Sequence, residues 1–415
     1  MKVSTQRMID RAVGPAACRI LSLMARIRGA ETVALPVKRI LLILLSEMGS
    51  LTMTWPMIRR LREKYPQAAL DILTFSRNVE IIDLIGLTGR DHIIAINDRT
   101  LAGIAADSVK YLARMRRNRP ELVIDCELFS RISSIYSFFS GAPVRVGFHR
   151  HTQEGLYRGN FINRPVLYNP YLHISRQFVH LAEAVDAAET PRCKIPVPDE
   201  MPALPDVVVS GEERAAIIGR IREKFPEVEA AGRPMVVLHP GGGLLAIRAW
   251  PPEYYSRVAE SLAKSGFLVA VTGPPEDGPL ARRIVGCCPR GAAMDLTGFT
   301  RSLRELLTVF SLSELLITND GGPGHFAGLI SLPSIILYGP ETPVLYGSLN
   351  RNAVNLFAGW ACSPCLTAYN HRNSPCDGNN RCLRAISPET VLGKAMTILE
   401  DKSEKGKAVV TGEGE

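Results

Sequence analysis

The sequence predicts an α/β protein with two doubly wound parallel sheets, and three observations point there. Short, nearly continuous apolar runs alternate with amphipathic stretches, as expected of strands covered by helices on both faces. The alternation lapses once, in the proline-rich and polar stretch "KIPVPDEMPALPDVVVSGEE". It then resumes at Met235 and runs through a second set of strands.

The first 36 residues stand apart. In "RMIDRAVGPAACRILSLMARIRGA", Met8, Ile9, Val13, Ile20, Leu21, Leu23, Met24 and Ile27 are interleaved with Arg7, Arg11, Arg19, Arg26 and Arg28. Arg19 breaks the uninterrupted apolar region that a signal peptide needs. Two readings stand: a basic amphipathic helix on a membrane surface, or a terminal helix docked on the protein's own body. Five arginines against a single acid, Asp10, favour the first.

Residues 37–190 form the first predicted domain. "RILLILLS" (39–46), "ALDILTF" (69–75), "DHIIAIN" (91–97), "ELVIDCE" (121–127) and "VRVGF" (144–148) are its strands, with helices at 52–65, 77–86, 101–118 and 131–140. A linker is expected over 191–210 and a second domain over 211–400. Its strands are "MVVLHP" (235–240), "FLVAVTG" (267–273), "AMDLTG" (293–298), "ELLITND" (314–320), "SIILYG" (334–339) and "AVNLFA" (353–358). Helices fit at 252–265, 279–287, 302–311, 323–330 and 388–399. The polar tail 401–415 is expected to be disordered.

Composition narrows the function. A chain of 415 residues that is 46% hydrophobic has ample core, and no apolar stretch reaches the roughly 18 uncharged residues of a membrane span. A net charge of +8 suits an anionic membrane or phosphorylated substrates. No Arg/Lys block is interleaved with aromatics, so no nucleic-acid partner is expected. Nine cysteines form no secreted framework, and with no export signal a reducing cytosol is expected.

Two doubly wound domains bring strand C-termini, where ligands bind, to a potential shared cleft. Glycosyltransferases of the two-Rossmann (GT-B) type are built this way, as are periplasmic binding proteins, two-domain dehydrogenases and some epimerases. Neither first strand leads into G-x-G-x-x-G, which disfavours a dehydrogenase.

Three segments carry chemistry. In "LLITNDGGPGHFAGLISLPSIILYGP" (315–340) a strand ends at Asn319-Asp320, and Gly321 and Gly322 open a helix containing His325. Backbone N–H groups at such a start suit an anion. Asp320 could bind a sugar hydroxyl, and His325 could donate to a phosphate oxygen. In "VVLHPGGGLLAIRAWPPEYY", a strand ends at His239, and Gly241 and Gly242 again suit an anion, with Arg248 placed to neutralise a leaving pyrophosphate. In "VAVTGPPEDGPLARRIV", Glu276 could accept from a ribose hydroxyl or simply offset a helix dipole.

In this order the segments resemble glycosyltransferase family 9, the ADP-heptose:lipopolysaccharide heptosyltransferases. The matching stretches are "RILLILLSEMGSLTMTWPMIRRLREKYPQAALDILT", "VVLHPGGG…IRAWPPEYY", "VTGPPED", "DLTGFTRSLRELLTVFSLSELLITNDGGPGHFAG" and "PSIILYGPETPVLYG", within residues 38–400. The Asp-x-Gly-x-x-His element of Asp320, Gly322 and His325 is the most specific part. The resemblance implies inverting sugar transfer from a nucleotide donor, ADP-heptose being the family's best-known case, with no metal or other cofactor required. It places Arg248 near the donor phosphates, Glu276 on the ribose, Asp320 on the donor sugar, and Gly322 with His325 on the phosphate. The acceptor, an envelope glycolipid, belongs on the first domain. The implied location is cytoplasmic, peripheral on the inner-membrane surface.

One departure bears on catalysis. Many family members end the first strand in Gly-Asp, the aspartate being taken as general base, whereas this chain has Gly49-Ser50. A serine takes no proton near neutral pH without its own base. Glu47 is the nearest carboxylate, and Glu47 with Ser50 is the expected catalytic pair. Ser50 also keeps open a protein that binds a nucleotide sugar without turnover.

Late in the chain, Cys362-x2-Cys365 and Cys376-x5-Cys382 could bind Zn²⁺ or an iron–sulfur cluster, or form a reduced loop. This leaves a metal-dependent redox protein as a further alternative.

Overall fold

The computed structural model describes residues 3–28, 36–45, 48–128, 130–151, 156–196, 201–228, 232–243, 245–369 and 372–411. The chain divides into two compact units: Met1–Pro202 with Thr367–Arg372, and Ala203–Leu366 with Asn373–Glu415.

In the first unit, β1 (Arg39–Ile43), β2 (Ala69–Phe75), β3 (Ile93–Ile96), β4 (Leu122–Asp125), β5 (Val144–His149) and β6 (Arg164–Leu167) form one sheet in the order β3-β2-β1-β4-β5-β6. Every pairing is parallel. The strand order reverses between β1 and β4, where Ile43 stands beside Asp125. Leu41, Ile43, Leu73 and Val123 are sealed from solvent, packed with Tyr111 of the helix Leu101–Arg117 and Tyr136 of the helix Arg131–Phe139. Thr100 Oγ1 starts the former helix by accepting the Gly103 N–H at 3.0 Å. A long helix, α1 (Val3–Arg28), packs on the helix Arg131–Phe139.

β6 does not follow from the apolar pattern, because Pro165 interrupts its four residues. Proline has no N–H to donate to a ladder and is confined to edge strands, and β6 is an edge strand, with Pro165 beside Gly147 of β5.

The second unit repeats the design. β7 (Met235–His239), β8 (Leu268–Gly273), β9 (Ala293–Thr297), β10 (Leu315–Asn319), β11 (Ser334–Tyr338) and β12 (Ala353–Phe357) form a parallel sheet ordered β12-β11-β10-β7-β8-β9. Val236, Val237 and Leu238 are all fully buried, so both faces are covered. That is why these strands read as unbroken apolar runs rather than alternating ones. The last helix spans Pro388–Thr411 and so passes residue 400, where the sequence pattern suggests a disordered tail.

Candidate active site

In the second unit the strand order reverses between β7 and β10, and Thr318 of β10 stands beside His239 at the C-terminal end of β7. This is where an open α/β sheet binds ligands. Asn319, 1% exposed, ties the site together. Its Nδ2 donates to the carbonyls of Pro240 (2.8 Å) and Gly241 (3.2 Å). Its Oδ1 accepts from the Trp250 N–H (3.0 Å) and the Tyr255 hydroxyl (3.1 Å). Burial pushes the Tyr255 phenol well above its ordinary range, so it stays a neutral donor. One side chain thus fixes both ends of the loop that carries Arg248.

Arg248 is held by two carboxylates. Its Nη2 lies 2.5 Å from Glu341 Oε1, and its Nε lies 3.4 Å from Asp320 Oδ2. Asp320 follows β10 directly, and Glu341 follows the turn after β11. The three groups are mostly buried, with 14% of the arginine side chain, 7% of the aspartate and 1% of the glutamate exposed. A cation so placed between strand ends can meet a diphosphate, while the carboxylates accept sugar hydroxyls.

The glycines divide by role. Gly243 has φ +58°, a left-handed turn conformation that a glycine adopts without strain. A Cβ on Gly241 would stand 2.2 Å from Asp277 Oδ2, so this glycine makes room for a carboxylate. A Cβ on Gly324 would meet Ile336 Cδ1 at 2.7 Å, so Gly324 lets the helix Gly322–Phe326 sit close on β11. Gly321 is extended, and a Cβ there would meet nothing closer than 3.9 Å. His325 is buried within that helix.

Asp277, beside Glu276, is the half-buried carboxylate that faces the Gly241 turn; Glu276 is exposed in the turn Pro275–Asp277. Burial, with the neighbouring Glu276 charge, raises the Asp277 pKa. His239 lies with Nδ1 3.1 Å from Thr272 Oγ1, and burial lowers its pKa to about 4. It is therefore neutral at pH 7 and adds no charge to the site. Arg248 is the cation that meets both site carboxylates.

The family model for glycosyltransferase family 9 (heptosyltransferase) matches residues 110–374, more than half of the chain. The chain belongs to glycosyltransferase family 9. Lipopolysaccharide heptosyltransferase 2 of Escherichia coli (strain K12) is 23% identical over 378 residues, 87% of this chain and 98% of the relative. The solved structure of E. coli ADP-heptose LPS heptosyltransferase II superposes with a TM-score of 0.68 at 20% identity, covering 88% of this chain and 99% of that one. The structure of E. coli heptosyltransferase WaaC with ADP-2-deoxy-2-fluoro heptose superposes with a TM-score of 0.60 at 17% identity, covering 86% of this chain and 99% of that one. The fold is therefore of the GT-B type, with two doubly wound α/β domains, and the chain is a glycosyltransferase.

Among the described residues, no three His, Cys, Asp or Glu side chains are grouped to hold a metal ion. Cys362 and Cys376 are exposed, Cys365 is half-buried and Cys382 is buried. Burial pushes the Cys382 thiol above its ordinary range. The Zn or iron–sulfur expectation is thus unsupported, and with family membership the redox alternative falls away. The segment that carries these cysteines braces the candidate active site. Cys365 and Leu366 N–H groups both donate to the Pro340 carbonyl at 2.9 Å, beside Glu341. Asn380 Nδ2 donates to the Ile247 carbonyl at 2.6 Å, beside Arg248. Gly339 lies so close to the helix Arg381–Arg384 that a Cβ would reach Leu383 Cγ at 2.6 Å.

In the first unit, Ser50 is half-buried in the short helix Met48–Met53, and Glu47 lies outside the described residues. The pattern did not single out Glu127, which is 3% exposed and whose Oε1 accepts the Leu45 N–H at 2.7 Å. Nor did it single out Glu341, Asn319 or Asp277. Their signal was position: each stands at or just beyond a strand's C-terminal end.

Proposed function

We propose that the chain is an inverting heptosyltransferase that moves heptose from ADP-heptose to a hydroxyl of a lipopolysaccharide-type acceptor. The second unit holds the donor and the first unit the acceptor, at the cytoplasmic face of the inner membrane. The observation that carries this reading is Arg248 paired with Asp320 and Glu341 at the ligand-binding edge of a family-9 sheet.

The acceptor oxygen attacks the anomeric carbon from the face opposite the diphosphate. A carbon–oxygen bond forms as the bond to the diphosphate oxygen breaks, and the electron pair leaves with ADP. Arg248, with the backbone N–H groups of Gly321 and Gly322 and the His325 side chain, stabilises the departing charge. Asp320 holds the donor sugar, and Glu276 or its neighbour Asp277 holds the ribose. The acceptor proton passes to Glu47, since Ser50 offers no base of its own. The residues named supply charge stabilisation and the base, so the transfer is read as needing no metal or organic cofactor.

The test is ADP release from ADP-heptose in the presence of a heptose-deficient lipopolysaccharide core. The reading expects acceptor-dependent release that is lost in Arg248→Ala. Tight donor binding with no acceptor-dependent release would make the chain a nucleotide-sugar-binding protein instead.

A further inference from the structure

α1 has two apolar faces, and the first unit uses only one of them. Cys18 (0% exposed) and Leu21 (7%) point inward and pack with Phe138, Phe161 and Ile162, and Ser22 is also buried (6%). The Asp10 carboxylate accepts the backbone N–H groups of Arg131 (2.7 Å) and Ile132 (3.2 Å), and Oδ2 lies 3.0 Å from the Arg131 guanidinium. Ser22 Oγ accepts the Asn160 N–H at 2.9 Å. A Cβ on Gly14 would stand 2.6 Å from Arg131 Cδ, so the helix sits close against the unit. α1 is therefore fixed in rotation, and its outward face is defined.

That outward face is apolar. Val13 is 61% exposed, Ile20 61%, Leu23 62%, Met24 41%, Ile27 82% and Ile9 37%. At 3.6 residues per turn these six fall within an arc of about 100°, opposite Cys18. Exposed large apolar residues are ordinary when scattered; a stripe along one helix is not. Arg19 and Arg26 are exposed along one margin of the stripe. The helix's single acid, Asp10, is turned inward on Arg131, so no carboxylate of α1 faces outward with the stripe.

We infer that α1 is a membrane-docking helix, lying in the plane of an anionic phospholipid surface with Ile20, Leu23, Met24 and Ile27 among the acyl chains. A rigid apolar stripe margined by arginines and lacking acids matches the boundary between lipid headgroups and hydrocarbon. No helix among the described residues is long and apolar enough to cross a membrane, so the geometry is docking, not spanning. A second copy of the chain fits the stripe less well, since pairing would crowd two rows of arginines with no acid on that face to offset them. The inference rests on the first unit alone and is independent of the donor chemistry.

The test is flotation of the full-length chain with vesicles, either phosphatidylglycerol with phosphatidylethanolamine or phosphatidylcholine alone. Binding to the anionic vesicles and not to the neutral ones is expected, weakening at high salt. Ile20→Glu with Leu23→Glu should abolish it, and Arg19→Gln with Arg26→Gln should lower it roughly tenfold or more. All these positions are exposed, so melting temperatures should not change. As a second readout, Ile20→Trp should shift its emission to the blue and be quenched by brominated anionic lipid. Equal binding to both vesicle types would overturn the inference. So would a chain that binds neither and becomes monomeric only when Ile20 and Leu23 are replaced, because the stripe would then be a self-association surface.

Discussion

Arg248 and Glu341 lie 93 residues apart in sequence, yet Nη2 of the arginine stands 2.5 Å from Oε1 of the glutamate at the edge of the second sheet. Asp320 meets the same guanidinium through Nε. The planar fork of arginine suits this geometry, because separate nitrogens reach separate carboxylates. Arg248→Ala should lower kcat/KM for the donor by about 10²–10³-fold. Arg248→Lys should fall nearly as far, since one ammonium cannot span both partners. Glu341→Gln keeps an acceptor oxygen and the shape, and should lose roughly tenfold or less. Steady-state ADP release measures all three.

Gly241 and Asp277 should be coupled. A Cβ at position 241 would overlap Asp277 Oδ2 at 2.2 Å, so Gly241→Ala forces the carboxylate away from the turn. The single variant should weaken donor binding by about tenfold, and Asp277→Gly alone should be milder. The double variant should recover part of the loss of Gly241→Ala, a non-additivity that a titration cycle reads directly.

His239 should make the fold acid-sensitive. Burial lowers its pKa from 6.5 to about 4, so the folded chain resists a proton that the unfolded chain accepts. Between those values the unfolded state holds more protons, and stability falls as pH falls from about 6.5 toward 4. The full loss is roughly 2–4 kcal/mol. His239→Gln should flatten this part of the dependence of melting temperature on pH between 7.5 and 4.5.

Catalysis should separate two carboxylates of the first unit. Glu47→Gln should cut turnover by about 10²–10⁴-fold with donor affinity unchanged, if Glu47 takes the acceptor proton. Glu127 is bonded to the Leu45 backbone, so Glu127→Gln should chiefly cost about 1 kcal/mol of stability. The reverse pattern, a folded Glu127→Gln enzyme without turnover beside an active Glu47→Gln enzyme, would transfer the base to Glu127.

Eleven of the twelve strands could be read from apolar runs because both faces of each sheet are covered and the side chains need not alternate. β6 escaped because Pro165 sits inside it, a residue that fits a strand only where one edge lacks a partner. Arg248 and Asp320 stood out because each lies beside a glycine-rich turn. Asn319 and Glu341 did not, since an amide or acid gains meaning only from what the topology brings to it. Asn319 reaches Pro240 and Trp250 because β10 lies next to β7, an adjacency that strand order decides and local pattern does not show. The spacing of the late cysteines did not reveal what the segment touches: it hydrogen-bonds the Pro340 turn and the Arg248 loop.

The most direct test is a crystal structure of the chain with ADP-heptose or its 2-deoxy-2-fluoro analogue. The diphosphate is expected within hydrogen-bonding distance of the Arg248 guanidinium and the Gly321–Gly322 backbone, with the sugar on Asp320. A donor bound elsewhere, with Arg248 still closed on Asp320 and Glu341, would contradict it.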